Sequence, residues 1–541
     1  MKSWLTVLSL LSTLASVPVL ATACSSSNDA PAAPPVTPPP PATDVDAGAD
    51  AAEAAPPANP LPWVSCPLHS EGDGPMAECA TVKTPLDPKR PDGPTIDVFV
   101  KRFKPAGGKS LRQVWMLQGG PGGSGYVFEN LAEQIATKFP DIDYYMPDHR
   151  GTGKSTRLGC PTQEAEGTEE GINISEAEWP ACLADVQAKE GARLPFFTAT
   201  NAANDLGLLI ERAKQPGQAT FVYGVSYGTY LAHRYLQLFP KQADGVVFDS
   251  YVPPGTSLAR QDADANEAAR DFFAVCGKDA FCMGKMGADP WAKAEALFAK
   301  LKTGYCPDIA IPELPTHVLL RRAFGQFLMD PALRVYIPAI VYRVDRCAAN
   351  DVTALKQLVA NLTQQQPAGE FAKQWGWILS NNITLSELWE DPSPTAAELS
   401  AIREASVASR DVTTNFDFQI GKWPTYPKDE YMGGWPTTDV PVLFLQGGLD
   451  PATLLRKAVV AKDHFNKPHQ SFVEIPTATH TVIVSSATTA NRSCGTRIMM
   501  NFFENPQAPL DTSCLPTVVP LDFQGQKPIS QALLGTTDAW E

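Results

Sequence analysis

The stretch Gly224-Val225-Ser226-Tyr227-Gly228 decides the fold of this chain, because it carries the pattern G-x-S-x-G between a predicted strand and a predicted helix. Residues 219–223, before it, are rich in β-forming side chains, and residues 229–239, after it, have apolar side chains at helical spacing. A serine on such a strand-to-helix turn, with a glycine two positions away on each side, is typical of a nucleophile elbow. Since a pentapeptide also matches by chance, the prediction that Ser226 is a nucleophile depends on the rest of the chain.

The composition indicates a large globular protein and argues against nucleic acid as a partner. The chain has 541 residues, of which 44% are hydrophobic, so it is long enough for one large domain with an insertion. Its net charge is −15 and no basic cluster stands out, which is unlike a nucleic-acid-binding protein. The seven histidines are scattered and no C-x-x-C pair occurs, so we expect neither a metal site nor any other cofactor.

The N-terminal segment is predicted to direct export. A positive Met1-Lys2 start and a mostly apolar run lead to Ala21-Thr22-Ala23-Cys24, which resembles a bacterial lipobox. We therefore expect residues 1–24 to be a signal peptide and Cys24 to carry a lipid in a bacterial cell envelope. An ordinary secretory signal cleaved near Ala23 is the alternative, and both imply export. No later run is long and apolar enough to span a bilayer, so the lipid is the one expected membrane attachment.

Residues 25–60 are predicted to be a disordered tether between that anchor and the folded protein. They consist mostly of Ser, Ala, Pro and Asp and include consecutive prolines at 38–41, a composition that cannot bury a core. Such a stalk gives a lipid-anchored protein reach from its membrane.

The cysteines agree with the expectation of export. Eleven are present, and setting Cys24 aside leaves an even number, as disulfides in an exported protein require. Sequence does not determine connectivity, but the remaining cysteines fall into couples that are close along the chain. We expect each couple to form a disulfide: Cys66 with Cys79, Cys160 with Cys182, Cys276 with Cys282, Cys306 with Cys347, and Cys494 with Cys514.

The order of strand and helix patterns predicts an α/β fold with a mainly parallel sheet. Short β-rich runs alternate with helical patterns over residues 61–255 and again over residues 436–541, which indicates a sheet covered by helices on both faces. Residues 256–435, between them, have mostly helical spacing. We expect the two outer parts to form one core, and the middle part to be an inserted helical cap over the C-terminal ends of the strands.

Two loops late in the chain supply the partners that a serine nucleophile needs. Asp450 lies in the glycine-rich loop 446–453 after a predicted strand, and His480 follows the next strand. The order Ser, Asp, His, with each residue at a strand end, is that of the α/β-hydrolase fold. A turn aspartate and a solvated loop histidine are the alternatives for each residue alone. The ordered set predicts a triad in which His480 is the base and Asp450 orients it.

The oxyanion formed in such a reaction needs two preorganised N–H donors. The predicted pair is the amide of Tyr227, directly after the nucleophile, and the amide of Gly120, in the glycine-rich loop 118–125. A flexible loop or a phosphate cradle is the alternative for these glycines, although the stretch lacks the Lys-Ser/Thr of a P-loop. Asp148 and Arg150, after another strand, are expected to brace the turn beneath the site.

At these residues the chain resembles the tripeptidyl aminopeptidase branch of the prolyl iminopeptidase family. The resemblance runs through the segments Thr81–Leu86, Gln118–Gly125, Asp148–Ser155, Gly224–Gly228, Gly447–Thr453 and His480. It implies a serine exopeptidase of the α/β-hydrolase fold, which removes short units from a peptide N-terminus beneath a helical cap. The departures are Gln118, where the family has histidine, and Thr481, where a glycine is frequent; neither removes a catalytic atom, but both leave the subtype open.

An aminopeptidase must also recognise the free ammonium group of its substrate. The resemblance gives this role to a glutamate of the cap near its return to the sheet, which corresponds to Glu387. Glu390 and Asp391 are rivals, and a solvated surface carboxylate is the alternative for each. The expected partners are peptides with a free N-terminus, and we expect a monomer. An esterase or lipase on the same fold, and a non-catalytic peptide-binding surface lipoprotein, are the competing functions.

Overall fold

The computed structural model describes residues 60–541, apart from residues 73, 106, 108–109, 166–173, 313 and 365–373. The predicted signal peptide, the predicted lipid-attachment residue Cys24 and all of the predicted tether except Pro60 lie outside the described residues. In the part of the chain that is described, no helix has both the length and the apolar character needed to cross a membrane.

A nine-stranded sheet runs through the described part of the chain. Its strands are Val64–Pro67 (β1), Met76–Pro85 (β2), Thr95–Phe103 (β3), Arg112–Leu117 (β4), Ile142–Pro147 (β5), Ala219–Val225 (β6), Gly245–Asp249 (β7), Val442–Gly447 (β8) and Gln470–Ile475 (β9). Their order in space is β1-β2-β3-β5-β4-β6-β7-β8-β9. The pairs from β1 to β5 are antiparallel, and every pair from β5 through to β9 is parallel. The predicted mainly parallel sheet is therefore confirmed.

Helices alternate with these strands and also fill the interval between β7 and β8. Those that alternate with strands or follow the last one are Glu129–Ala136 (α1), Trp179–Glu190 (α2), Ala199–Ala213 (α3) and Tyr227–Leu238 (α4), then Leu455–Ala458 (α13), Ala461–His464 (α14), Val482–Ser485 (α15), Cys494–Glu504 (α16) and Lys527–Leu534 (α17). Those between β7 and β8 are Gln261–Cys276 (α5), Ala280–Met286 (α6), Pro290–Leu301 (α7), Thr316–Phe327 (α8), Ile337–Arg346 (α9), Ala349–Thr363 (α10), Trp377–Glu387 (α11) and Ala396–Ala405 (α12). The second group is the predicted helical insertion.

Alternate residues of the central strands contribute to two cores, one on each face of the sheet. Along β4, Trp115 and Leu117 belong to one core and Val114 and Met116 belong to the other, and all four are buried. Helices α3 and α4 pack into the first core, and α1 and α16 pack into the second. A sheet buried on both faces requires strands that are apolar throughout, which is the pattern seen in the sequence.

The register of β4 and β6 brings two loops of the site to the same height. The pairing runs from Arg112 opposite Ala219 to Leu117 opposite Gly224. Because these parallel strands end together, the glycine-rich loop after β4 and the Ser226 turn after β6 leave the same edge of the sheet.

The helical insertion, called the cap from here on, has a hydrophobic core of its own. Phe324 is among its fully buried members, and Trp540, near the end of the chain, joins the same core. Arg343 of α9 donates hydrogen bonds to the carbonyl oxygens of Ala539 and Glu541. The last residues of the chain, which we predicted as part of the sheet-based core, therefore pack against the cap.

The predicted pairing of the cysteines is confirmed. The disulfides are Cys66–Cys79, Cys160–Cys182, Cys276–Cys282, Cys306–Cys347 and Cys494–Cys514. Disulfides form and persist in oxidising compartments, so this framework suggests an exported protein.

Candidate active site

Ser226 occupies a sharp turn between β6 and α4. Its backbone has φ 56° and ψ −128°, a conformation that is strained for any residue with a side chain. The flanking glycines are required by close contact, because a Cβ atom on Gly224 would clash with the carbonyl oxygen of Gly228, and one on Gly228 would clash with that of Leu117. This is the geometry of a nucleophile elbow, as the pentapeptide predicted.

His480 and Asp450 form a hydrogen-bonded pair. His480 Nδ1 lies 2.9 Å from Oδ2 and 3.0 Å from Oδ1 of Asp450. The buried carboxylate also accepts hydrogen bonds from the amides of Ala452 and Thr453 and from the Thr453 hydroxyl. Burial alone would raise the pKa of Asp450, but His480 and these donors together hold that pKa below its usual range. A charged Asp450 keeps the proton of a neutral His480 on Nδ1, which leaves Nε2 as the proton acceptor.

The three residues of the predicted triad lie on loops at one edge of the sheet. Ser226 follows β6, Asp450 follows β8 and His480 follows β9, with β7 between β6 and β8. In open α/β sheets, ligands bind outside the carboxyl ends of the strands, so this edge is where a substrate would meet all three side chains.

The glycine-rich loop after β4 lies directly against the serine. A Cβ atom on Gly119 would lie 2.7 Å from Cβ of Ser226, so a larger residue does not fit there. Gly120 is the next residue of this loop, and Tyr227 is the next residue of the elbow. Both residues predicted to donate to an oxyanion therefore lie next to the point where Gly119 approaches Ser226.

The cap and the loop after β5 hold this glycine-rich loop in place. The carbonyl oxygen of Gly122 accepts hydrogen bonds from Thr152 Oγ1 at 2.7 Å and from Gly376 N at 2.9 Å. The indole ring of Trp375 packs against the same loop, since a Cβ atom on Gly120 would lie 2.8 Å from that ring. The cap therefore contributes directly to the walls of the site, which helical spacing alone did not indicate.

His149 supports the residue that follows the serine, and sequence reasoning missed it. Its Nε2 lies 3.2 Å from the hydroxyl of Tyr227, and its Nδ1 lies 2.6 Å from the carbonyl oxygen of Arg150. Because a carbonyl only accepts, Nδ1 carries the proton and Nε2 accepts from the tyrosine. Burial lowers the pKa of His149 to about 4, so the ring is neutral at neutral pH. The position of His149 between Asp148 and Arg150, two residues already expected to brace the site, was the sequence signal that could have identified it.

Asp148 and Arg150 brace the surrounding backbone and strands, as expected. Asp148 accepts hydrogen bonds from the amides of Gly125 and Lys154, both at 2.8 Å, and burial raises its pKa to about 6. Arg150 is fully buried and forms two hydrogen bonds of 2.7 Å with Asp205 of α3. These partners belong to the scaffold beneath the site.

Glu387, the predicted ammonium-binding residue, is buried in a polar network. Its side chain is 0% exposed and lies 3.5 Å from Arg234. Its carboxylate accepts hydrogen bonds from Ala199 N and from the hydroxyls of Tyr230 and Tyr426, at 2.7–3.0 Å. Both oxygens are thus engaged in joining α11 of the cap to α3 and α4. This environment argues against the predicted role. The sequence around Glu387 does not reveal it, because the partners of the carboxylate lie far away along the chain.

The two rival carboxylates gain no support either. Glu390 forms two hydrogen bonds with Arg260, of 2.5 and 2.6 Å, and therefore has a partner on the cap surface. Asp391 is exposed.

The arrangement is suited to nucleophilic chemistry at an acyl carbon. It combines a serine on a strained turn, a histidine oriented by a buried carboxylate, and a close-packed glycine loop beside the serine. Among the described residues, no group of three or more His, Cys, Asp or Glu side chains is arranged to hold a metal ion.

Two family models match the chain. One, described as alpha/beta hydrolase fold, matches residues 114–272, and the other, described as TAP-like protein, matches residues 407–514. The tripeptidyl aminopeptidase of Streptomyces lividans is 28% identical over 276 residues, which cover 45% of this chain and 50% of that protein. The serine protease Hip1 of Mycobacterium tuberculosis is 28% identical over 267 residues, which cover 45% and 49%. The chain spans about half the length of the curated relatives it matches.

Solved structures of hydrolases are also similar to this chain. An esterase from Exiguobacterium antarcticum aligns with 72% of this chain and 91% of its own, with a TM-score of 0.30 and 14% identity. The sheet order and the elbow of this chain are those of the α/β-hydrolase fold, which one family model also matches, and the TAP-like model and the curated relatives show the similarity of the chain to tripeptidyl aminopeptidases.

Proposed function

We propose that this protein is a serine aminopeptidase that releases short units from the N-terminus of peptides. The observation that carries the proposal is the His480–Asp450 pair on the edge of the sheet that also holds the strained Ser226 turn. Similarity to proteins named tripeptidyl aminopeptidase supports peptides as the substrate class. Tripeptides, dipeptides and single N-terminal proline residues are the units that this class of site would release.

In the proposed mechanism, Ser226 attacks the scissile carbonyl while His480 accepts the hydroxyl proton through Nε2. Asp450 holds the imidazole and stabilises its charged form. The amides of Gly120 and Tyr227 donate to the oxyanion of the tetrahedral intermediate. His480 then protonates the leaving amine, and a water molecule, activated by the same histidine, hydrolyses the acyl-enzyme. The products are the released N-terminal unit and the shortened peptide.

Blocking the substrate N-terminus should distinguish an aminopeptidase from other hydrolases on this fold. We expect acetylation of a tripeptidyl chromogenic amide to lower kcat/KM by roughly 10²- to 10³-fold, because a site built for an ammonium group loses a charged partner. The measurement compares mono-, di- and tripeptidyl amides with free and with acetylated N-termini. The free members of the panel also report the length of the released unit.

An esterase or lipase is the competing outcome of the same panel. If acetylated amides or simple esters are cleaved as well as the free peptides, the aminopeptidase assignment is wrong and the triad serves another acyl substrate. If no member of the panel is cleaved by a folded protein, a non-catalytic peptide-binding role replaces it.

We also propose that the protein is anchored to a bacterial cell envelope by a lipid on Cys24. The lipobox-like run before this cysteine supports the anchor, and the disulfide framework suggests an oxidising compartment. Replacement of Cys24 by serine should move the protein from the membrane fraction to the soluble fraction, because one acylated residue is the attachment. Fractionation followed by immunoblotting checks this, and unchanged membrane association would refute the anchor.

A further inference from the structure

Three residues in or next to the triad have left-handed backbones. Ser226, Ser250 and Thr481 have φ values of 56°, 61° and 61°. Such a conformation is costly for a residue with a side chain and persists only where surrounding contacts over-determine it. Ser226 is the proposed nucleophile and Thr481 directly follows the proposed base, so the strain lies in the two loops that must meet during the reaction.

Asp249 and Ser250, at the end of β7, bind both of these loops. The carbonyl oxygen of Asp249 accepts a hydrogen bond from Ser226 N at 3.0 Å. Ser250 Oγ accepts one from Thr481 N at 2.9 Å. The Asp249 carboxylate accepts two more from the amides of the two residues after Thr481, at 2.6 and 3.1 Å. The two adjacent residues therefore connect the elbow to the histidine loop.

This connection is itself fixed to the centre of the sheet. Asp249 and Ser250 are both 0% exposed, and β7 runs between β6 and β8. Tyr223 of β6 donates its hydroxyl to the Asp249 carboxylate at 2.9 Å, and Ser250 N donates to the carbonyl oxygen of Leu445 in β8 at 2.9 Å. With the Ser250 hydroxyl as a fourth donor, the Asp249 carboxylate has little freedom to shift. It therefore fixes the histidine loop, while the main-chain carbonyl of the same residue holds the elbow.

We propose that Asp249 and Ser250 are positioning residues that set the separation of Ser226 and His480. The proposal rests on the roles of those two residues in the proposed function. Because Ser250 holds the amide of Thr481, a shift of that amide moves the imidazole of the preceding residue. A misplacement of about 1 Å between reacting groups lowers a rate on the order of 10²-fold.

A purely structural role is the competing explanation, because the Asp249 carboxylate also satisfies amides at the start of α15. That role predicts lower stability and nothing else. Positioning predicts a lower kcat at unchanged KM, because binding of the substrate does not require an aligned base. The two explanations therefore separate in a kinetic measurement.

The test uses the full chain with Asp249→Ala and Ser250→Ala, and with Asp351→Asn as the matched control. Asp351 is also a 0% exposed carboxylate that accepts a main-chain amide, that of Ala348, but it lies in α10 of the cap and pairs with arginines there. We measure kcat and KM on a tripeptidyl amide and the rate at which a fluorophosphonate labels Ser226. The control separates the general cost of losing a buried carboxylate from the loss of alignment.

We expect the labelling rate and kcat to fall about 10²-fold for Asp249→Ala and about 10-fold or more for Ser250→Ala, with KM within about threefold of the wild type. Asp351→Asn should keep both rates within about threefold while losing stability. The proposal is overturned if folded Asp249→Ala or Ser250→Ala is labelled as fast as Asp351→Asn. If Asp249→Ala does not fold, Ser250→Ala decides, because it removes a single hydroxyl.

Labelling also separates this proposal from the proposed function. If the wild type is labelled but cleaves no peptide, the peptidase assignment fails while the labelling rates of the variants still decide the role of Asp249 and Ser250. If the wild type is folded and not labelled at all, both proposals fail together.

Discussion

Replacement of Ser226 by alanine should lower kcat about 10⁶-fold, the largest effect that we expect from any single change in this protein. Without the hydroxyl no acyl-enzyme forms, and His480 and Asp450 have nothing to activate. The fold should persist, because the Ser226 side chain makes no capping hydrogen bond to α4 and alanine tolerates the turn about as well as serine. The measurement is cleavage of a free tripeptidyl amide, together with labelling by a fluorophosphonate, which should disappear.

Ser155→Ala is the matched control for this loss. Ser155 is also a buried serine, and its hydroxyl forms two hydrogen bonds of 2.9 Å, with Phe99 N and with the carbonyl oxygen of Asp148. This variant should lose stability, by about 1–3 kcal/mol, yet keep its labelling and most of its kcat. Labelling that survives in Ser226→Ala, or activity that survives there above one thousandth of the wild type, would show that the nucleophile is another residue.

Local sequence patterns predicted the main elements of the fold because each pattern depends on the secondary structure of its own segment. Continuous apolar strands and amphipathic helices gave the parallel sheet and the helical insertion between β7 and β8. The packing of Trp540 and the chain end on the cap was not predictable, because it depends on contacts of Arg343 with carbonyls nearly 200 residues away. Periodicity contains no information about such contacts.

The contrast between local patterns and contacts that are distant along the chain also explains which site residues were predicted and which were missed. Asp450 and His480 were found because each lies in a loop after a strand, in an order that the fold requires. Asp249 carries no such local signal, since its partners in the histidine loop lie more than 230 residues later in the chain. Glu387 was assigned by chemical type and position, and neither reveals that Tyr230 and Tyr426 already occupy its carboxylate.

The hydrogen bonds around Asp450 determine what an isosteric amide would do there. Oδ1 accepts from the amides of Ala452 and Thr453, at 2.8 and 2.9 Å, and Oδ2 accepts from the Thr453 hydroxyl, while His480 Nδ1 lies 2.9 Å from Oδ2 and 3.0 Å from Oδ1. In Asp450→Asn the amide oxygen must face the two main-chain donors, because the NH₂ group has no acceptor on that side. The NH₂ group then faces His480 Nδ1, and the hydroxyl can rotate to accept from it.

Asp450→Asn should therefore lower kcat about 10⁴-fold at nearly unchanged KM, although the residue keeps its size. An NH₂ donor opposite Nδ1 holds the imidazole proton on Nε2, the nitrogen that must accept the proton of Ser226, so the dominant tautomer of His480 is inactive. Kinetics on a free tripeptidyl amide measure the loss, and Asp351→Asn, which changes a buried carboxylate of the cap, should keep kcat within about threefold. If Asp450→Asn retains a tenth of the wild-type kcat, another carboxylate orients His480. Asp249, whose carboxylate binds two amides of the histidine loop, would then be the residue to change next.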